Sequence, residues 1–149
     1  MLQETLRKLF ARDLNKLKAE IAQYPDEPSV WVIDGHIANS AGNLCLHLIG
    51  NLNTYIGAEL GGTGYIRHRD LEFSLKDVPS EELIHQINDT ISIVDTTLSQ
   101  LSDDQLAAEY PQIVLNEQRT STEYFLIHLS THLAYHLGQV NYHRRLLTL

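Results

Sequence analysis

Phe125-Leu126-Ile127-His128-Leu129-Ser130-Thr131-His132-Leu133-Ala134-Tyr135-His136-Leu137-Gly138-Gln139-Val140 decides how this chain is read. Phe125, Leu129, Leu133 and Val140 recur at the spacing of one helix face, and His128, His132 and His136 step by four along the same side. At about 100° per residue each step of four drifts by only about 40°, so the three imidazoles project from one strip beside the leucines. The stretch sits inside an uncharged run over residues 124–143, and a second uncharged run covers residues 36–58. About 20 apolar residues suffice to cross a bilayer. These runs, however, carry six histidines together with Asn39, Asn43, Asn51, Asn53, Gln139 and Asn141, and bare polar groups at that density are expensive in lipid. The runs therefore predict two helices buried on most sides, inside the fold and against a second copy of it, rather than membrane spans.

The other elements follow outward from this helix. Leu6, Phe10, Leu14, Leu17, Ile21 and Tyr24 predict a first helix over residues 2–23, ended by Tyr24-Pro25-Asp26-Glu27-Pro28. Leu44, Leu48, Leu52, Tyr55 and Ile56 predict a second over about 41–60, stopped by Gly61-Gly62-Thr63-Gly64. A third begins after Pro79, with Ser80 as N-cap, Glu81-Glu82 in the first turn and the stripe Leu83, Ile87, Ile91, Val94, Leu98, Leu101. The fourth runs from about Ser121 to Leu147. Residues 61–78 form a long connection between helices two and three, and residues 110–120 a short extended segment. The expectation is one all-α domain over residues 1–149, a four-helix bundle with a long loop.

Composition narrows the function. Eleven Lys and Arg against nineteen Asp and Glu give a net charge of −8, which opposes nucleic-acid and anionic-membrane partners. The lone Cys45 rules out an internal disulfide and cysteine-only zinc ribbons. The opening MLQETLRKLF alternates charge with leucine and has no signal-peptide h-region. A cytoplasmic protein acting on a small molecule is expected.

The histidines carry the chemistry. His47 shares a strip of helix two with Asn43, Asn51 and Thr54. Imidazoles buried beside leucine need hydrogen-bond partners or a metal, and both readings stand on spacing alone. Two imidazoles one turn apart can reach a single ion, and one from a facing helix completes three ligands with positions left open. Cys45 lies about 200° from His47 around the helix axis and points away. A di-iron site requires paired Glu-x-x-His motifs, and only Glu82-Leu83-Ile84-His85 has that form. No Gly-x-Ser-x-Gly elbow is present, and Leu133 stands where a zincin has its glutamate.

His128-Leu129-Ser130-Thr131-His132-Leu133-Ala134-Tyr135-His136-Leu137-Gly138-Gln139 resembles the final-helix His-x-x-x-His-x-Gly-Gln signature of the DinB/YfiT-like proteins. Gly42-Asn43-Leu44-Cys45-Leu46-His47-Leu48-Ile49-Gly50-Asn51-Leu52 is similar to that family's first-histidine helix, and Arg67-His68-Arg69-Asp70-Leu71-Glu72-Phe73 to the Arg-x-Arg-Asp-x-Glu-Phe loop of one subgroup. The resemblance implies a four-helix bundle, commonly a homodimer, with a divalent ion on His47, His132 and His136. Zinc or nickel leads, with iron, copper and manganese as alternatives. It also implies a transferase using a low-molecular-weight thiol, a metal-dependent hydrolase or a binding module without turnover. Asn43 and Asn51 are expected to steady the ligand rings. His128 and Gln139 are expected to line the cavity or orient a ligand. Arg67 and Arg69 are expected either to grip a cofactor's carboxylates or to pair with Asp70 or Glu72.

Overall fold

The computed structural model describes residues 1–147; residues 148 and 149 of the expected domain lie outside it. Among the described residues all regular structure is helical: Leu2–Ala22 (α1), Ala41–Leu52 (α2), Arg69–Ser74 (α3), Ser80–Ser99 (α4), Asp103–Ala107 (α5) and Thr122–Leu147 (α6), with a 3-10 turn at Pro28–Trp31. The four long helices arise where the apolar period is sustained. Leu6, Phe10, Leu14, Leu17 and Ile21 of α1 are buried, as are Leu83, Ile87, Val94 and Leu98 of α4. They pack α1 against α4 and α6, and α2 against α4 and α6, around one continuous core.

Every residue of α2 is buried, which explains its lack of charge. Ser40 caps it by accepting from Asn43 N at 3.1 Å. Gly42 lets the Trp31 ring lie on the helix, since a Cβ there would stand 2.6 Å from the ring. The helix then widens into a π turn, Asn53–Ala58, where Asn53 Nδ2 donates to Ile49 O at 2.8 Å and to Thr90 Oγ1 at 2.9 Å. Gly62, with φ of +62°, ends the run in the left-handed conformation glycine adopts without strain.

Three expectations are corrected. Ser80 is not the N-cap of α4: Pro79 holds that position, and Ser80 N and Oγ both donate to Glu27 Oε2 at 2.9 Å. The long connection is not structureless, because α3 forms within it. Residues 110–120 contribute only the isolated bridge Val114–Gln118, beside Glu109–Ser121. A fourth difference concerns α6. One face of this helix is uncovered within the chain: Tyr124, Ile127, Tyr135, Tyr142 and Leu146 are exposed.

Candidate metal centre

His47 projects from the middle of buried α2 and is itself 7% exposed. Across from it α6 presents His132 and His136, both half-buried, while Leu129, Leu133 and Val140 of the same helix enter the core. The ligand-capable atoms of the three rings lie within 4.8 Å of one another, close enough to hold a metal ion. His47 Nε2 and His132 Nε2 are 3.3 Å apart. Two nitrogens each about 2.0–2.1 Å from one tetrahedral ion would stand ~3.3–3.4 Å apart, so this pair already has the required spacing. His136 meets both rings edge-on, with centroids 5.3 and 4.6 Å away.

The distal nitrogens determine which way the lone pairs face. His47 Nδ1 donates to Glu72 Oε1 at 3.0 Å, and His136 Nδ1 to Gln139 Oε1 at 2.7 Å. Each bond places the proton on Nδ1 and leaves Nε2 as the ring's free acceptor. His132 lacks such a support: its Nδ1 is buried without a partner. Burial, ahead of the neighbouring imidazoles, pushes the His132 pKa down to about 4. Burial likewise holds His47 below its usual value, against the pull of Glu72. At neutral pH both are uncharged, the form a metal ligand requires. The donor set thus fits a divalent ion with an open fourth position.

Glu72 is the residue that sequence reasoning missed in this role. It comes from α3, is buried, and receives Arg67 as a fork, Nε to Oε2 at 2.8 Å and Nη2 to Oε1 at 2.9 Å. A charged carboxylate survives there because the bidentate arginine and the imidazole satisfy both oxygens. Space for it is made by Gly50, where a Cβ would fall 1.9 Å from Glu72 Oε2. That glycine, one turn beyond His47 in a helix interior, was the available signal, since a mid-helix glycine costs about 0.5–1 kcal/mol and so calls for a packing reason.

The remaining expected residues divide. Asn43 makes no hydrogen bond to the histidines; its Nδ2 donates to Glu72 O and Leu75 O, both at 2.9 Å, and so clamps α3 onto α2. Asn51 supports no ring through a hydrogen bond, and its Oδ1 is buried without a partner. His128 stands outside the trio, stacked on Phe125 at 5.8 Å, and lines the adjoining cavity. Gln139 orients His136. Of the two arginines, Arg67 forms the expected ion pair, buried rather than on the surface, and Arg69 lies over Phe73 at 5.2 Å. Cys45 is buried and free, its thiol pushed up to about 12 by burial. Among the described residues no helix is long and apolar enough to cross a membrane.

An all-helical fold with three histidines from two facing helices, backed by a carboxylate from a third, defines a helical protein with a candidate metal centre. The chain belongs to the family described as "Protein of unknown function (DUF1572)", whose model matches residues 2–148. No curated protein matches it.

Proposed function

We propose that this chain is a metal-dependent enzyme with the DinB/YfiT-like four-helix-bundle fold, a transferase using a low-molecular-weight thiol. The observation that carries the reading is the convergence of three imidazoles within 4.8 Å, with no fourth ligand-capable side chain joining them among the described residues. Such a donor set suits zinc or nickel, and less specifically iron, copper or manganese. A divalent ion with three neutral ligands keeps its full charge and lowers the pKa of a thiol or water at its open position.

The protein's own residues hold and insulate that position. Glu72 and Gln139 keep the Nε2 lone pairs of His47 and His136 inward. Arg67 keeps the Glu72 carboxylate compensated, and Phe73 shields the His47 ring, 5.0 Å from its centroid. Thiol chemistry is favoured over hydrolysis because no carboxylate is free to serve as the base beside an attacking water. The carboxylate at the trio is engaged by Arg67 and His47, and no Asp or Glu among the described residues lines the adjoining cavity. Protein purified without a nickel column and reconstituted with zinc or nickel should conjugate a biological thiol to an electrophile, with no turnover after chelation. Ester or amide turnover without thiol would favour the hydrolase; metal binding with neither activity would leave a binding module.

The homodimer belongs to the same reading. Gly42, Gly50 and Gly57, small residues that would let a partner helix approach closely, are instead occupied internally, by Trp31, Glu72 and Ile93. The exposed α6 face is different: Tyr135 is 66% and Tyr142 64% exposed, and a Cβ added to Gly138, between them, would meet nothing within 4 Å. Pairing α6 with its copy would cover these rings, and a stable dimer should bury well over ~1,000 Å². Light scattering should give twice the 16.9 kDa chain mass; a monomer at micromolar concentration removes the claim. The buried, reduced Cys45 accords with the cytoplasmic setting this reading assumes.

A further inference from the structure

Beside the histidine trio opens a cavity of about 330 Å³, lined among others by His47, Asn51, Arg67, Arg69, His128 and His132. Its size is at the lower end of small-molecule sites, ~300–1,000 Å³. Two arginines and no acid line it among the described residues, in a chain of net charge −8. The two arginines are not equivalent. Arg67 spends its fork on Glu72. The guanidinium of the exposed Arg69 makes no hydrogen bond or ion pair with any described residue, and it lies over the face of Phe73. Phe73 in turn lies against His47, so this cation is held one aromatic ring away from the trio. A guanidinium stacked on a ring keeps its fork free and partly pre-organised.

Asn51 adds an independent sign of a ligand. It is 7% exposed, lines the same cavity, and its Oδ1 is buried with no partner. An unsatisfied buried amide costs about 1–3 kcal/mol, a cost removed when a bound molecule supplies the missing group. We propose that this cavity is the subsite for a small carboxylate, held by the Arg69 fork, whose own hydroxyl or amine bonds to Asn51. A singly charged carboxylate matches the one unengaged cation; a phosphate dianion would call for more. The inference deepens the reading of the trio as the reacting centre and rests on it for function, but the anchor itself consists of protein side chains alone.

The test therefore uses metal-free protein, so a failure of metal binding leaves it readable. Lactate, propionate and inorganic phosphate are titrated while the Arg69 Nε–Hε NMR signal is followed. Lactate and propionate should shift that signal saturably, lactate at the lower concentration. Arg69→Gln should weaken both by roughly tenfold to a hundredfold, as loss of a charge-assisted pair predicts. Arg69→Lys should retain part of the affinity, and Arg145→Gln, on the exposed end of α6, all of it. Asn51→Leu removes an unpartnered polar atom and should abolish only the preference for lactate. Unsaturable shifts, unchanged affinity in Arg69→Gln, or phosphate binding more tightly than either carboxylate would overturn the proposal.

Discussion

His132→Ala should lower zinc or cobalt affinity by more than ~100-fold and leave the metal-free fold standing. Residues that merely support a ligand ring typically contribute ~10–100-fold to affinity, so deleting a ring that supplies a donor should exceed that. Thermal unfolding reads the same event independently. An ion at about 100 times its Kd stabilises the native state by ~2.7 kcal/mol, which for a chain of this size is a rise in Tm of roughly 5–10 °C. That rise should vanish in the variant. The metal-free Tm should move little, because the His132 side chain is half-buried, its Nδ1 has no hydrogen bond to lose and its Nε2 gives up only the 3.3 Å contact with His47 Nε2. The core contacts of α6 come instead from Leu129, Leu133 and Val140. A wild-type protein whose Tm ignores zinc, cobalt and nickel alike would refute the metal centre itself.

The long helices are legible in the sequence because helical structure is written locally. The 3.6-residue period of Leu6, Phe10, Leu14, Leu17 and Ile21 needs no distant partner to be recognised, and all five are buried. The approach of His132 and His136 is legible for the same reason, being a matter of spacing on one helix. His47 could be assigned to a core-facing strip, though its meeting with α6 depends on how two helices pack. Glu72 was not legible as a buried group. It stands in Leu71-Glu72-Phe73 like any exposed glutamate, and its burial depends on His47, 25 residues away, on Arg67 and on the space left by Gly50. The capping of Ser80 by Glu27, 53 residues distant, escaped for the same reason. The exposed face of α6 shows the converse: absence of charge identified α2 as buried all round, yet the same signal on α6 accompanies a face that the chain leaves open.

Gly50→Ala should be destabilising by about 1–3 kcal/mol and should weaken metal binding by ~10–100-fold, although alanine is the better helix former by about 1 kcal/mol. The added Cβ would lie 1.9 Å from Glu72 Oε2 and 2.6 Å from its Cδ, well inside contact distance. A free glutamate would swing aside at little cost. This one is fixed by His47 and by both limbs of the Arg67 fork, so yielding means breaking those bonds and leaving a largely buried guanidinium poorly compensated. His47 then loses the acceptor that keeps its Nε2 lone pair inward, which is how a methyl group on the far side of the ring reaches the ion. A double-mutant cycle separates this route from a general disturbance of α2. In a Glu72→Ala background the clash is absent, and Gly50→Ala should become neutral or stabilising by up to about 1 kcal/mol in urea unfolding. Metal affinity, already reduced by the loss of Glu72, should fall no further. If Gly50→Ala is equally damaging with and without Glu72, the glycine serves the packing of α2 rather than the carboxylate, and the link from Gly50 through Glu72 to His47 is broken.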